Sequence, residues 1–406
     1  MSLETLMNIV SIDEKCENED TFEMISYFND IAGNDLFSFI SFQSIGYEED
    51  RFNKLIKILK EHDYVTEYFS YECELYEATE LSENLPFYCE YCNKEVCIPD
   101  IHHIITLSYI LSESFSAEIN DYRVNLRTKY IHKDFLINFN NLKKDKNNIV
   151  PFLGSGISTP FRLPNWKKMF LDMSEYVIEE EQTYYKNLVE KGEFFKAITF
   201  MLKGHSRSFS TEKQIQQHIA RLFSSPNLAI DEKSHNMMDI ANINCEFFLT
   251  SNYDSILNEF ITRPHPNPLC INDIEDVPSF FRERKKRVVH IHGIIDRPST
   301  MIVTEENYND LYNNVEFMNR LKAIFSHKKL VFIGFSFDDA FFSEFYRNII
   351  ASLGGEHYLI AANVHPFSSD EFNNNNLKTI SLNLPINYSG QEYVNALRFV
   401  LQDLYK

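Results

Sequence analysis

Long apolar runs are missing from this sequence. No stretch of roughly 18 or more apolar residues occurs, so no ordinary membrane-spanning helix is expected. The start, MSLETLMNIVSIDEKCENED, has no basic segment followed by an apolar one, and a secretory leader is not expected either. Cysteine is sparse, with seven in 406 residues, too few for a disulfide scaffold. Three of the seven crowd into one short segment, which suits reduced thiols or a metal site and points to a cytoplasmic, unanchored protein. Basic residues are scarce in the first 120 positions, with 6 Lys and Arg against 25 Asp and Glu, whereas the remainder holds 33 against 34. A surface of that sign repels phosphate and speaks against direct nucleic-acid binding by this part without a basic partner. Glycine is scarce too. Of 11 residues, Gly154 and Gly156 fall two positions apart in NIVPFLGSGISTPFRLPNW, directly behind an apolar run.

What is present belongs to a folded protein. Hydrophobic residues make up 44% and aromatics 14%, enough to fill a sizeable core in two or three domains. The charge shift, together with the basic and polar stretch over 125–148, places a boundary near 140. It separates an acidic N-terminal accessory domain, 1–140, from a second domain, 141–406. In the first, Phe52, Leu55, Ile56, Ile58 and Leu59 fall near helical spacing in RFNKLIKILKEHDYV, while VTEYFSYECELYEA alternates as strands do. A smaller α/β or mainly helical module, winged-helix-like in outline, fits that pattern. FYCEYCNKEVCIPDIHHI follows, and its C-x2-C pair, Cys89 and Cys92, can direct two thiolates to one tetrahedral zinc ion. Cys97 and His102 would complete the set, with Cys73 and His103 in reserve. The second half of the pattern lacks a C-x2-C or H-x3-H pair, so ordinary buried thiols and surface histidines stand as the other reading.

From Ile149 onward short apolar runs alternate with helical stretches, the pattern of a parallel sheet with helices on both faces. Strands are predicted at 149–153, 247–250, 288–291, 301–303, 330–333, 358–362 and 379–382, with a long helical insertion between the first two. A turn from strand to helix needs residues without side chains, both to reach unusual backbone angles and to let amides approach a phosphate. FLGSGIS has that form, although G-x-G-x-S lacks the third glycine and the following acid of the dinucleotide fingerprint. Three later segments also end apolar strands in polar groups: TSNYD, HIHG with His292 and Gly293, and GFSFDD with Gly334, Ser336 and Asp338. Ligands collect at such strand ends in open α/β sheets.

Taken in order, FLGSGIS, LPNW, TSNYD, HIHG and GFSFDD resemble the sirtuin-like NAD-consuming domain, in particular its bacterial branch in anti-phage defence proteins. The resemblance covers roughly the last 260 residues. It implies a Rossmann-like parallel sheet and NAD+ as substrate, with Gly154, Ser155, Gly156 and Ser158 at the pyrophosphate and Pro164 and Trp166 supporting the adjoining loop. Thr250 and Asp254 would lie beside the nicotinamide ribose, Gly334 and Ser336 on the adenosine side. Asn252 and His292 would be the catalytic pair. Nicotinamide leaves as a neutral group through an oxocarbenium-like state, so the chemistry asks for a base more than an acid. The implied activity is hydrolysis of NAD+ to nicotinamide and ADP-ribose by a defence effector that depletes NAD+ once activated. The implied setting is a homo-oligomer or a complex with a partner such as an ATPase, away from membrane and nucleic acid. Two other readings stay open. An NAD-dependent protein deacylase is one, against which the absence of cysteine beyond Cys270 counts, since deacylating sirtuins usually carry a four-cysteine zinc module after the H-G motif. A non-catalytic NAD or ADP-ribose sensor is the other, and it has no need of Asn252 and His292.

Overall fold

The computed structural model describes residues 3–14, 18–33, 35–43, 48–76, 78–262, 268–282, 285–325, 328–335, 346 and 354–405. Contacts within the chain separate two units, Met1–Leu126 and Arg127–Lys406. The division falls before 140 because the helix Leu136–Asp145 is tied into the second unit. Asn138 Nδ2 donates to Thr379 O at 2.7 Å, and Lys143 Nζ pairs with the buried Asp403 at 3.4 Å. Among the described residues no helix is long and apolar enough to cross a membrane.

In Met1–Leu126, helices at Leu3–Glu14, Asn18–Ala32, Phe39–Gln43 and Glu49–Glu61 precede a three-stranded antiparallel sheet. Its strands are β1 (Val65–Cys73), β2 (Ala78–Ser82) and β5 (His103–Leu111), in the order β2-β1-β5; between β2 and β5 a hairpin pairs β3 (Phe87–Tyr88) with β4 (Glu95–Val96). The helix Glu49–Glu61 buries Phe52, Leu55, Ile56 and Leu59, the positions that share one face at three and four residue steps. Ile58 falls off that face and is half-buried. Phe28 stacks on Phe42 at 4.7 Å between ring centroids, and Phe42 meets Phe52 at 5.1 Å, so aromatic contact forms the centre of this helical layer.

The second unit is built on seven strands: β6 (Ile149–Leu153), β7 (Phe247–Thr250), β8 (Leu269–Cys270), β9 (Arg287–His290), β10 (Lys329–Ile333), β11 (His357–Ala362) and β12 (Leu377–Leu382). They lie in the order β12-β11-β10-β6-β7-β9-β8, and every pairing is parallel. β6 and β7 are buried at every residue, which is why both read as unbroken apolar runs. This is the Rossmann-like α/β architecture expected from the alternation of runs, with two differences. The segment 301–303 is not a strand. Met301 and Val303 are buried, which accounts for its apolar signal, yet Ile302 is held by side contacts: its N–H donates to His292 O at 2.9 Å and its carbonyl accepts from the Tyr253 hydroxyl. The edge strand β8, two residues long, is too short to produce a pattern.

Chain order and spatial order together single out one place. From β6 the chain runs to β7, β8 and β9 on one side, then crosses to β10 on the other and continues outward to β11 and β12. β6 and β10 are therefore neighbours whose connections leave in opposite directions, and in open α/β sheets ligands bind at the carboxyl ends of such strands.

Candidate functional site

At that edge the turns following β6 and β10 press against each other. Gly154 N donates to Ile333 O at 2.8 Å and Gly156 N to Gly334 O at 2.9 Å. A Cβ on Gly154 would stand 2.7 Å from the Gly334 carbonyl oxygen, and one on Gly156 2.8 Å from it. Gly334 itself has φ +78°, in the left-handed region that favours glycine. The paired glycines of FLGSGIS are thus required by the contact between two strand ends. The two glycine amides, which the turn reading left open to a phosphate, are occupied within the sheet edge. A cavity of about 1050 Å³ opens above these turns, lined among others by Ser155, Gly156, Trp166, Ser251, Gly334 and Tyr393. Trp166 is fixed there edge-on against Tyr253, at 5.3 Å, and stacked on Phe170 at 5.7 Å.

Behind the cavity wall lies a connected polar network from two separate stretches of chain, 153–158 and 250–256. Thr250 Oγ donates to Leu153 O at 3.0 Å and accepts from Asn252 N at 2.9 Å. The Asn252 amide nitrogen donates to Gly154 O at 3.1 Å and to Ser158 Oγ at 3.2 Å. Ser158 in turn donates to Asp254 Oδ2 at 3.0 Å, while Asp254 Oδ1 accepts from Ile256 N at 3.1 Å. Burial pushes the Asp254 carboxyl up to about 6, against the pull of these two hydrogen bonds. One atom of the network is left over. Asn252 Oδ1 is buried and has no hydrogen-bond partner, which costs about 1–3 kcal/mol unless a donor arrives.

Two histidines follow from β9, and they differ. His290 has both ring nitrogens engaged, Nδ1 with Asn252 O and Nε2 with Asn258 Oδ1, each at 2.9 Å. A neutral ring donates from one nitrogen only, so it donates to the Asn252 carbonyl, and the Asn258 amide, whose nitrogen has no other partner, satisfies the remaining lone pair when it turns its N–H toward it; burial lowers the His290 pKa to about 4. His292 places Nε2 2.8 Å from the Tyr312 hydroxyl, and burial lowers its pKa to about 3, so the ring is neutral near pH 7. Phe195 of the cavity wall packs on Tyr308 at 5.4 Å, and Tyr308 on His292 at 6.1 Å. His292 is one aromatic layer behind the cavity.

Of the residues singled out from sequence, Ser155, Gly156, Trp166 and Gly334 line the cavity, and Ser158, Thr250, Asn252 and Asp254 form the network beneath, joined to Gly154. Pro164 is half-buried and does not line the cavity, and His292 stands apart from the network in its aromatic setting. Ser336 and Asp338 lie outside the described residues. Ser251 of TSNYD also lines the cavity, while sequence reasoning missed Tyr312, His290 and the wall supplied by Tyr388 to Val394. Tyr308 and Tyr312, four residues apart in a polar helix, were the one available signal for an aromatic face.

In Met1–Leu126 the thiols and histidines also come together, in a different set from the one expected. Among the described residues, ligand atoms of Cys73, Cys89, Cys92 and His103 lie within 4.8 Å of one another. Cys97 and His102 fall outside: the Cys97 thiol donates to Pro99 O at 3.7 Å. Strand register explains why His103 is the histidine in the set, because it is paired directly with Cys73 of β1, whereas His102 precedes the strand.

Residues 246–381 match the family model of the SIR2-like domain. The chain is 25% identical over 198 residues to the NAD(+) hydrolase ThsA of Cytobacillus dafuensis, covering 48% of this chain and 36% of that protein. It is 25% identical over 203 residues to NAD(+) hydrolase ThsA of Acinetobacter baumannii (strain 532279) and 24% identical over 198 residues to that of Enterococcus faecium, in both cases covering 48% of this chain and 38% of the relative. The chain thus spans well under half the length of the curated relatives it matches. The matched segment begins just before β7 and ends within β12, and β6 with its glycine turn, although outside it, is hydrogen-bonded into the same sheet. The segment similar to the SIR2-like domain thus holds β7 to β11 and most of β12, within the parallel sheet of the Arg127–Lys406 unit.

Proposed function

We propose that this chain hydrolyses NAD+ to nicotinamide and ADP-ribose, with Asn252 and His292 as catalytic residues and the cavity at the carboxyl ends of β6, β7 and β10 as the dinucleotide site. The observation that carries the proposal is Asn252 Oδ1. It is a buried acceptor without a partner, on an amide whose nitrogen is already fixed by Gly154 O and Ser158 Oγ, so its orientation is set before any ligand enters. A water or a ribose hydroxyl is the donor that would satisfy it. At about 1050 Å³ the cavity stands at the upper end of ordinary ligand sites, which run to about 1,000 Å³, and has room for a dinucleotide. The similarity to relatives named as NAD(+) hydrolases supports the same reaction.

On this reading the C–N glycosidic bond breaks with its electron pair leaving on neutral nicotinamide, and the oxygen of water bonds to the ribose carbon. The water proton passes to His292, whose neutral imidazole can accept it. Tyr312 holds the same nitrogen, and Tyr308 with Phe195 lies between the ring and the cavity, so this aromatic layer has to yield its place for turnover. The defence role, the control by a trigger or partner and the homo-oligomer expected from the sequence resemblance belong to this proposal, since uncontrolled loss of NAD+ would harm the host. The test is nicotinamide release by the purified full chain. Asn252→Ala and His292→Ala are each expected to lower it by at least about 100-fold with an unchanged circular dichroism spectrum. Full activity in either variant removes that residue from the mechanism. Formation of O-acyl-ADP-ribose with an acyl-lysine peptide would make the chain a deacylase, and NAD+ binding without release, alone or with co-expressed partners, would make it a sensor.

A further inference from the structure

We infer that the Met1–Leu126 unit holds one structural zinc ion on Cys73, Cys89, Cys92 and His103, with Asp100 fixing the imidazole. The site is assembled from two devices. Antiparallel register brings Cys73, the last residue of β1, opposite His103, the first of β5. The β3–β4 hairpin supplies the other two ligands from a tight knuckle, in which Cys89 N donates to Lys94 O at 2.8 Å, Asn93 N donates to Cys89 O at 2.9 Å, and Asn93 takes φ +56° to close the turn. Zinc–sulfur bonds of about 2.3 Å and zinc–nitrogen bonds of about 2.0–2.1 Å in a tetrahedron put ligand atoms roughly 3.5–3.8 Å apart. The four ligand atoms lie within 4.8 Å of one another, with Cys92 Sγ 3.2 Å from His103 Nε2.

The surroundings are those of a ligand set. Asp100 is acceptor-only when ionised and sits 3.0 Å from His103 Nδ1; its oxygens also accept from the backbone N–H of His102 at 2.7 Å, His103 at 2.9 Å and Cys97 at 3.2 Å. The Nδ1 proton therefore belongs to Asp100, and the Nε2 lone pair faces the sulfurs, as in the carboxylate–histidine–zinc arrangement. Cys73, Cys89 and His103 are buried and Cys92 half-buried, with four protein ligands and no open position, the condition of a structural rather than a catalytic zinc. A packed core offers no substitute. The cluster there consists of Tyr71, Cys73, Cys89 and Val96 with Leu85, Phe87, Cys92 and Ile105 around it, so three of its eight members are the cysteines themselves. A lobe built on two-residue strands with so little apolar content needs a staple.

Elemental analysis of the full chain, purified without chelator from zinc-supplemented medium, tests the inference. The expected result is about one zinc per chain, lost in Cys73→Ser and Cys89→Ser and kept in Cys97→Ser and His102→Ala. Should the first two variants fail to fold, the wild-type chain decides: an organomercurial should release one zinc to a colorimetric chelator, and exchange with Co2+ should give thiolate-to-cobalt charge-transfer absorption. Asp100→Asn should keep the stoichiometry but weaken zinc about 10–100-fold against a competing chelator. A wild-type chain without stoichiometric metal that takes up no Co2+ overturns the site. Zinc loss in Cys97→Ser or His102→Ala overturns the ligand set, and stoichiometric iron in place of zinc overturns the metal.

Discussion

Buried polar atoms gather both at the carboxyl edge of the parallel sheet and in the cysteine lobe of Met1–Leu126, but the two gatherings differ in kind. At the sheet edge donors meet acceptors. Thr250, Asn252, Ser158 and Asp254 pass hydrogen bonds along a chain until a single acceptor, Asn252 Oδ1, remains. In the lobe the converging atoms are three sulfurs and an imidazole nitrogen, all of them ligands, with the carboxylate of Asp100 set behind. A network of donors and acceptors nearly completes itself and leaves room for one hydroxyl, whereas a set of ligands is completed only by a cation. Burial is common to both regions; the atom left unsatisfied separates them. The two histidines at the end of β9 differ in the same way at closer range, His290 set between the Asn252 carbonyl and the Asn258 amide and His292 set among the tyrosines of the cavity wall's aromatic layer.

The comparison can be broken most severely at Gly293, the glycine of HIHG. It has φ +88°, and a Cβ there would lie 2.2 Å from the Thr300 carbonyl oxygen, so Gly293→Ala should cost more than about 4 kcal/mol or abolish soluble expression. Gly192→Ala, at φ +74° with nothing within 4 Å, should cost only about 1 kcal/mol; equal midpoints of urea unfolding for the two would refute the steric account. Next comes His290→Ala, which leaves the Asn252 carbonyl and the Asn258 amide without their imidazole partner. We expect a loss of about 3 kcal/mol, larger than for His292→Ala, whose main effect falls on nicotinamide release.

Acid sharpens the contrast between carboxyl and imidazole. The depressed values of His290 and His292 mean that the folded state binds fewer protons than the unfolded one below about 6.5, so their contribution is present above that pH and is lost as pH falls toward about 4 and 3. Asp254, raised to about 6, acts in the opposite sense: its contribution is present below the ordinary carboxylate range and is lost as pH rises through about 6. The stability of Asp254→Asn relative to wild type should therefore grow with pH between 4 and 6, by roughly 1.4 kcal/mol per pH unit, and a flat difference would place the shift elsewhere. A similarly small effect is expected of Tyr312→Phe, about 1 kcal/mol in stability. Because it releases His292 Nε2, nicotinamide release should rise rather than fall, and a loss comparable to that of His292→Ala would instead make the Tyr312 hydroxyl part of the chemistry.

Much of this was legible in the residues. Strands buried on both faces, such as Ile149–Leu153 and Phe247–Thr250, must be unbroken apolar runs, and the face of Glu49–Glu61 must repeat at three and four residues, because those periods are properties of the backbone itself. The sequence by itself therefore determined the class of fold, the order of the polar strand ends and the pair Cys89 and Cys92. Only the tertiary structure decided that Cys73 and His103 join that pair, that Gly154 and Gly156 answer to Gly334, and that His292 rests against Tyr312. Each of those outcomes depends on strand register or on a contact between distant turns, as between Ser158 and Asp254, 96 residues apart, and no local periodicity encodes a partner that only folding brings near.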